Sequence, residues 1–318
     1  MKTTKSILLI LAMALIGSCT TQLPNVKPFE TVVPTLTPKL ISTLTWTPLP
    51  TLSAQDAHAK IKELLETNGG CELPCWWGML PQHTRTVDVK EFFQKFSVYL
   101  VDTSMLNSEK GYIRLLIPQQ ENSDFSISLA YKGEDETLKW IWLKMEMAHK
   151  VSNAEGESWY ETTWGDPQLA DFSGQFSLSN ILSKYGKPSE ILIVTHQTAL
   201  INQPLPMSTI LFYPNHGFIV EYVANGTLSL SADKVTNVIG CPSLASPIFL
   251  LWSPSQKMGL ADVVSLFSSE HLYSEGLPSG KYKSIEDATG MNIEEFYEAF
   301  KSNTKKCIET PSHLWPMP

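Results

Sequence analysis

The first nineteen residues constrain this chain more than any other stretch. Met1-Lys-Thr-Thr-Lys5 is basic, an apolar run extends from Ile7 to Ile16, and Gly17-Ser18-Cys19 closes it with small residues. A permanent membrane helix needs about 20 consecutive apolar residues, so this run is too brief to span a bilayer. The order basic, apolar, small reads as an export signal over residues 1–18. The rest is therefore expected to fold outside the cytoplasm, where disulfides persist.

The ending Ile16-Gly17-Ser18-Cys19 resembles the lipobox of bacterial lipoproteins. In that family the leader is cut before the cysteine. The thiol then takes a diacylglycerol and the amine is usually acylated, palmitate being a typical chain. The resemblance implies lipidation at Cys19, an extracytoplasmic location, and attachment to the cell membrane through that lipid. Two or more acyl chains hold a protein stably where one binds reversibly. The competing reading is an ordinary secretory signal with Cys19 incidental to the cleavage point. Residues 19–52 continue the theme with a Thr/Pro-rich tract of almost no charge, including Pro34-Thr35-Leu36-Thr37-Pro38 and Thr45-Trp46-Thr47-Pro48-Leu49-Pro50-Thr51. Proline fixes φ and removes backbone donors, which favours extended conformations over a packed core. The expectation is a stalk. Such stalks behind a lipobox resemble those of Chloroflexota-type surface lipoproteins.

Behind the stalk about 265 residues remain, enough for one large or two small domains. The whole chain carries 24 basic and 32 acidic residues; without Lys2 and Lys5 of the leader the balance is 22 against 32, a net charge of −10. An acidic body with no basic run argues against nucleic acid as a partner. Apart from Cys19 there are four cysteines, Cys71, Cys75, Cys241 and Cys307. An even number in an exported chain reads as two disulfides. Three pairings exist; closeness in one Gly/Pro-bounded loop favours Cys71–Cys75, leaving Cys241–Cys307.

Periodicity divides the body into two expected units, 53–172 and 173–318. In the first, Ser53 and Asp56 open a helix to about Thr67, with Ala57, Ile61, Leu64 and Leu65 as its stripe and Asn68-Gly69-Gly70 as its stop. A second helix is predicted at about Val87 to Phe96. Strands are predicted at 112–117, 125–131 and 138–147, the last two as a hairpin with Phe125, Ile127, Leu129 and Tyr131 alternating. The second unit begins near Phe176 with a short helix, Leu178 to Tyr185, closed by Gly186 and Pro188. Strands follow at 189–196, 207–213 and 217–223, then helices near Leu260 to Phe267, at Ser284 to Asp287, and from Asn292 to about Ser302. The expected class is α+β, with helices packed on antiparallel sheets. The order helix, Gly-x-Pro, three strands resembles the small outer-membrane assembly lipoproteins of the BamE type and the related beta-lactamase-inhibitor fold. Tyr185 departs from that pattern, which places a leucine before the glycine.

The segment Cys71-Glu-Leu-Pro-Cys75-Trp76-Trp77-Gly78 resembles a stretch of uncharacterised Chloroflexota lipoproteins. Three readings compete. In the first, the cysteines staple the loop and the two indoles roof the core. In the second, the spacing resembles the metal loop of Sco-type copper chaperones, which implies thiol-redox or copper handling. In the third, the indoles form an exposed platform. Trp142, Trp159 and Trp164 extend that third reading to a face that stacks sugars, since alternation puts Trp142, Lys144 and Glu146 opposite Ile141, Leu143 and Met145. Core packing is the commoner fate of tryptophan.

No histidine pair has i, i+4 spacing, no Gly-x-Ser-x-Gly is present, and no phosphate-binding glycine loop appears. Neither a catalytic residue nor a metal or cofactor is assigned. The expected function is that of a non-enzymatic, lipid-anchored envelope protein presenting a binding or scaffolding domain to a protein or glycan partner. The alternative is a carbohydrate- or cell-wall-binding lipoprotein using clustered tryptophans. A redox or copper protein and an unrecognised hydrolase rank below both.

Overall fold

The computed structural model describes residues 51–103, 109–120, 122–153, 156–163, 165–169, 172, 174–195, 205–231, 234–274, 276–277, 281–302 and 306–315. The leader, Cys19, the stalk as far as Pro50, and Trp164 lie outside these residues.

Helix α1 (Ala54–Thr67) starts where Ser53 Oγ accepts from the Asp56 amide, and it buries the stripe Ala57, Ile61, Leu64 and Leu65. It ends because Asn68, Gly69 and Gly70 all adopt positive φ (53, 66 and 79°), which an α-helix cannot continue through. Helix α2 (Thr86–Gln94) buries Val89 and Phe93. Strands β1 (Leu100–Asp102), β2 (Lys110–Gln120), β3 (Ser123–Glu134), β4 (Thr137–Ser152) and β5 (Ser158–Thr163) follow. After α3 (Leu178–Tyr185) come β6 (Glu190–Val194), β7 (Leu205–Tyr213), β8 (Phe218–Ser231), β9 (Lys234–Gly240) and β10 (Ser246–Trp252). The chain closes with α4 (Leu260–Ser269), β11 (Lys283–Ser284), α5 (Ile285–Thr289), α6 (Ile293–Phe300) and β12 (Ile308–Pro311).

These strands form one antiparallel sheet in the order β1-β2-β3-β4-β10-β8-β7-β6-β11, with β5 added to β4, and β9 and then β12 added to β8. The class is α+β with antiparallel pairing, as the periodicity predicts. The sheet also joins the two expected units. Strand β10 pairs with β4 from Ile248–Lys144 to Trp252–Trp140, and with β8 from Ser246–Val223 to Leu251–Phe218. Its residues Ile248-Phe-Leu-Leu-Trp252 are apolar on both faces, and every residue from Ser246 to Trp252 is buried. A continuous apolar run with no alternation is what a strand enclosed on both faces carries.

The two faces of the sheet are covered unequally. One face carries Ile113, Leu115, Phe125, Ile127, Leu143, Met145, Phe249, Val220 and Leu211, and it packs against α1, α2, α3 and α6. The other face carries Ile210, Phe212, Ile219, Ile248, Leu250 and Trp252 under Val263 and Phe267 of α4. Trp140 and Trp142 of β4 belong to the same cluster, and Glu270, which caps the C-terminal end of α4, pairs with Lys110 of β2 and Lys132 of β3.

Disulfides join Cys71 to Cys75 and Cys241 to Cys307. The second lies beside the β9–β12 ladder, where Ile308 pairs with Gly240, and so fixes the C-terminal strand to the body.

Candidate functional site

Side chains alternate along strands, so the second face of β2, β3 and β4 carries a three-by-three grid set by the register. Its rows are Tyr112–Ala130–Trp142, Arg114–Ser128–Lys144 and Leu116–Ser126–Glu146. The opposite face is apolar over the rows Ile113–Leu129–Leu143, Leu115–Ile127–Met145 and Ile117–Phe125–Met147; here seven of nine positions are charged, hydroxylated or indole.

The grid is the floor of a cleft of about 280 Å³ whose wall is the segment His271–Leu272–Tyr273. A second cleft of about 280 Å³ adjoins it, sharing Tyr112, Ala130, His271 and Leu272. Three tethers place the wall. Glu270 pairs with Lys110 at 2.8 Å and Lys132 at 2.6 Å. Trp142 Nε1 donates to the Tyr273 carbonyl at 3.0 Å. Ser274 Oγ donates to Glu221 at 2.6 Å, and the Gly276 amide donates to the same carboxylate at 3.1 Å. Burial alone would raise the Glu270 carboxyl. The two lysine hydrogen bonds outweigh it, and the group titrates below its ordinary value.

Within the cleft, Lys144 Nζ lies 2.5 Å from Glu146 Oε2 and 4.2 Å from the centroid of the Tyr273 ring. Glu146 is 5% exposed. Its Oε2 makes an ion pair with Lys144 but no aligned hydrogen bond among the described residues. Arg114 Nε donates to Ser126 Oγ at 3.2 Å, and Tyr112 Oη to Ser128 Oγ at 3.1 Å. The floor is therefore stiffened by cross-strand hydrogen bonds, and Arg114 lines the cleft beside them.

The aromatic residues singled out by sequence scatter. Trp76 and Trp77 are 0% and 3% exposed, and their rings stack at 4.0 Å against Phe93. An exposed platform there is ruled out; they roof the core, and loop 71–79 presents no indole to a ligand. The loop is held by Asn68, whose Nδ2 donates to the carbonyls of Cys71 and Cys75 at 3.0 and 2.8 Å. Its Oδ1 accepts from the Trp77 amide at 3.0 Å. Trp142 is 4% exposed because the wall segment covers it, which corrects its role as a free stacking surface. Trp159 on β5 is 43% exposed and bonded to Glu161 at 3.0 Å. Among the described residues its ring stacks on none of Trp76, Trp77 and Trp142, so these four do not form one ligand-facing cluster.

Sequence reading missed one arrangement with the atoms of a hydrolytic triad. Ser123 Oγ lies 2.9 Å from His149 Nδ1, and His149 Nε2 lies 2.7 Å from Asp166 Oδ2. The carboxylate can only accept, so Nε2 carries the proton and Nδ1 accepts from the serine. Ser123 faces His149 across β3 and β4, and the Lys150 amide bonds to the Asn122 carbonyl, which makes the pair a narrow, non-hydrogen-bonded one. That register brings the side chains together on its own. Ser123 is 9% exposed and neither cleft above opens on it. The chain of bonds ties the strand ends to the turn at Asp166. Among the described residues no group of three or more His, Cys, Asp or Glu side chains could hold a metal ion.

Fold and cleft together define an α+β protein with a cleft over strands β2–β4 of an antiparallel sheet. Comparison of the chain with protein families, curated proteins and solved structures finds no match.

Proposed function

We propose that this chain is a non-enzymatic, lipid-anchored envelope protein that binds a small polar ligand in the groove over β2–β4. The observation that carries the binding half is the grid itself. A buried glutamate, a lysine and an arginine occupy mid-sheet positions whose counterparts on the opposite face of the same strands are apolar, and a tethered wall lines the cleft beside them. Buried charges without a structural need are costly, and in a cleft they mark a ligand site.

Placement rests on the basic, apolar, small order of residues 1–18 and on Cys19. Support comes from the two disulfides, which suit an oxidising compartment. The stalk would lift the groove away from the lipid surface. The non-enzymatic part rests on the closed-in Ser123 and on a cleft whose lysine and glutamate neutralise each other.

Two measurements test the halves separately. Intact-mass analysis of protein from its native host should find a chain starting at Cys19 with a diacylglyceryl thioether; an uncut leader or a bare amine refutes the anchor. Hydrogen exchange of the full chain mixed with host envelope extract should slow at β2–β4 and 270–274. No slowing there, or equal slowing in Ala130→Phe, which fills the groove, refutes the binding site.

A further inference from the structure

Resting on that groove reading, we infer that the ligand is a small monoanion: a carboxylate borne on a single hydroxylated ring. The charge on the cleft comes first. Its lining holds Arg114 and Lys144 against Glu146, a surplus of one positive charge, whereas the whole chain is at −8. Lys144 and Glu146 satisfy each other at 2.5 Å, so the surplus sits on Arg114. The single hydrogen bond of that guanidinium among the described residues leaves from Nε, toward Ser126. Its two Nη groups retain the paired, parallel donors that match a carboxylate. A positive site in an acidic protein selects anions against the general field.

Shape and hydrogen-bonding narrow the class further. The cleft of about 280 Å³ lies at the lower end of small-molecule sites, room for one ring and its substituents. Tyr112 and Tyr273 flank the Arg114–Lys144 row and give the ring an aromatic neighbour. The hydroxyls of Tyr112 and Ser128, bonded to each other at 3.1 Å, also line the cleft and offer partners to a ring hydroxyl. An ammonium group would meet Lys144 beside Glu146, which disfavours amino acids.

A ring of this kind can come from a sugar acid or from a hydroxylated aromatic acid, and the test separates them. The full chain in non-ionic detergent is titrated by calorimetry with glucuronate, 4-hydroxyphenylacetate, and their neutral counterparts glucose and 4-hydroxybenzyl alcohol. At least one acid should bind, with its neutral counterpart at least tenfold weaker. Which acid binds names the source. Arg114→Gln should weaken that acid at least tenfold while leaving the thermal midpoint near that of wild type, and Arg114→Lys should recover part of the loss. Equal binding of acid and neutral partner, or an unchanged affinity in Arg114→Gln, overturns the anionic class. If Ala130→Phe still abolishes binding in that case, the groove stands and the ligand class alone is wrong. No binding by any probe overturns the ligand class, and binding undiminished in Ala130→Phe overturns the groove as well.

Discussion

Asn68 is the residue on which the Cys71–Trp77 loop depends, and its substitution can be worked out in advance. Its side chain makes three hydrogen bonds, to the Cys71 and Cys75 carbonyls and from the Trp77 amide. Each such bond contributes about 1 kcal/mol net, so Asn68→Gly, which keeps the left-handed backbone free of strain, should cost about 3 kcal/mol. Asn68→Ala loses the same bonds and must also hold φ at 53° with a Cβ. Left-handed backbone costs an ordinary residue roughly 1–2 kcal/mol, partly offset by the smaller unfolded-state entropy of alanine, so the total rises to about 4 kcal/mol. Urea unfolding of the oxidised protein, followed by tryptophan fluorescence, reads both values from the shift in midpoint at constant slope. Near-UV circular dichroism should weaken in both variants as the Trp76–Trp77 stack loosens. If both variants stay within 1 kcal/mol of wild type, or alanine is no worse than glycine, the loop is not held as described.

Two further outcomes follow from the tethers. The Glu270 carboxyl, held below its ordinary value in the folded chain, stabilises above the unfolded value of about 4.3 and loses that contribution as pH falls through its folded value. The stability gap between wild type and Glu270→Gln should therefore be full at neutral pH and close below the folded value; a gap constant with pH refutes the ion-pair role. Chain entropy assigns about 4 kcal/mol to the Cys241–Cys307 bridge, across a sequence separation of 66, and about 2 kcal/mol to Cys71–Cys75, across 4. Paired serine substitutions should rank in that order, and titration of the unfolded, unreduced protein should find no free thiol among these four.

Much of the fold is legible in the sequence because its periodicities are strong. Ala57-x3-Ile61-x2-Leu64 and the alternation Phe125, Ile127, Leu129, Tyr131 place α1 and β3 within a few residues of where they lie. Strand β10 has no alternation, since both its faces are buried, and so it carries no half-buried signal. Strand β5 fails for the opposite reason: all six of its residues are exposed, and its pairing with β4 is visible only in three dimensions. The site was half visible. Alternation already puts Trp142, Lys144 and Glu146 on one side, but Arg114 reaches them through a register that crosses two hairpins. Tyr273 arrives from more than a hundred residues away, held by a backbone carbonyl that no side-chain pattern encodes. Tyr185, the departure from the BamE-type pattern, accepts a hydrogen bond from the Leu73 amide at 2.8 Å, so the larger residue has a local use.

The position of β10 has a consequence for biogenesis. The stretch of β4 from Trp140 to Lys144 is made about a hundred residues before its partner, residues 248–252. During that interval the chain holds out an unpaired edge rich in tryptophan and leucine, an invitation to stick to its neighbours. Pairing of β4 that waits until residues 248–252 are available would avoid the exposure altogether.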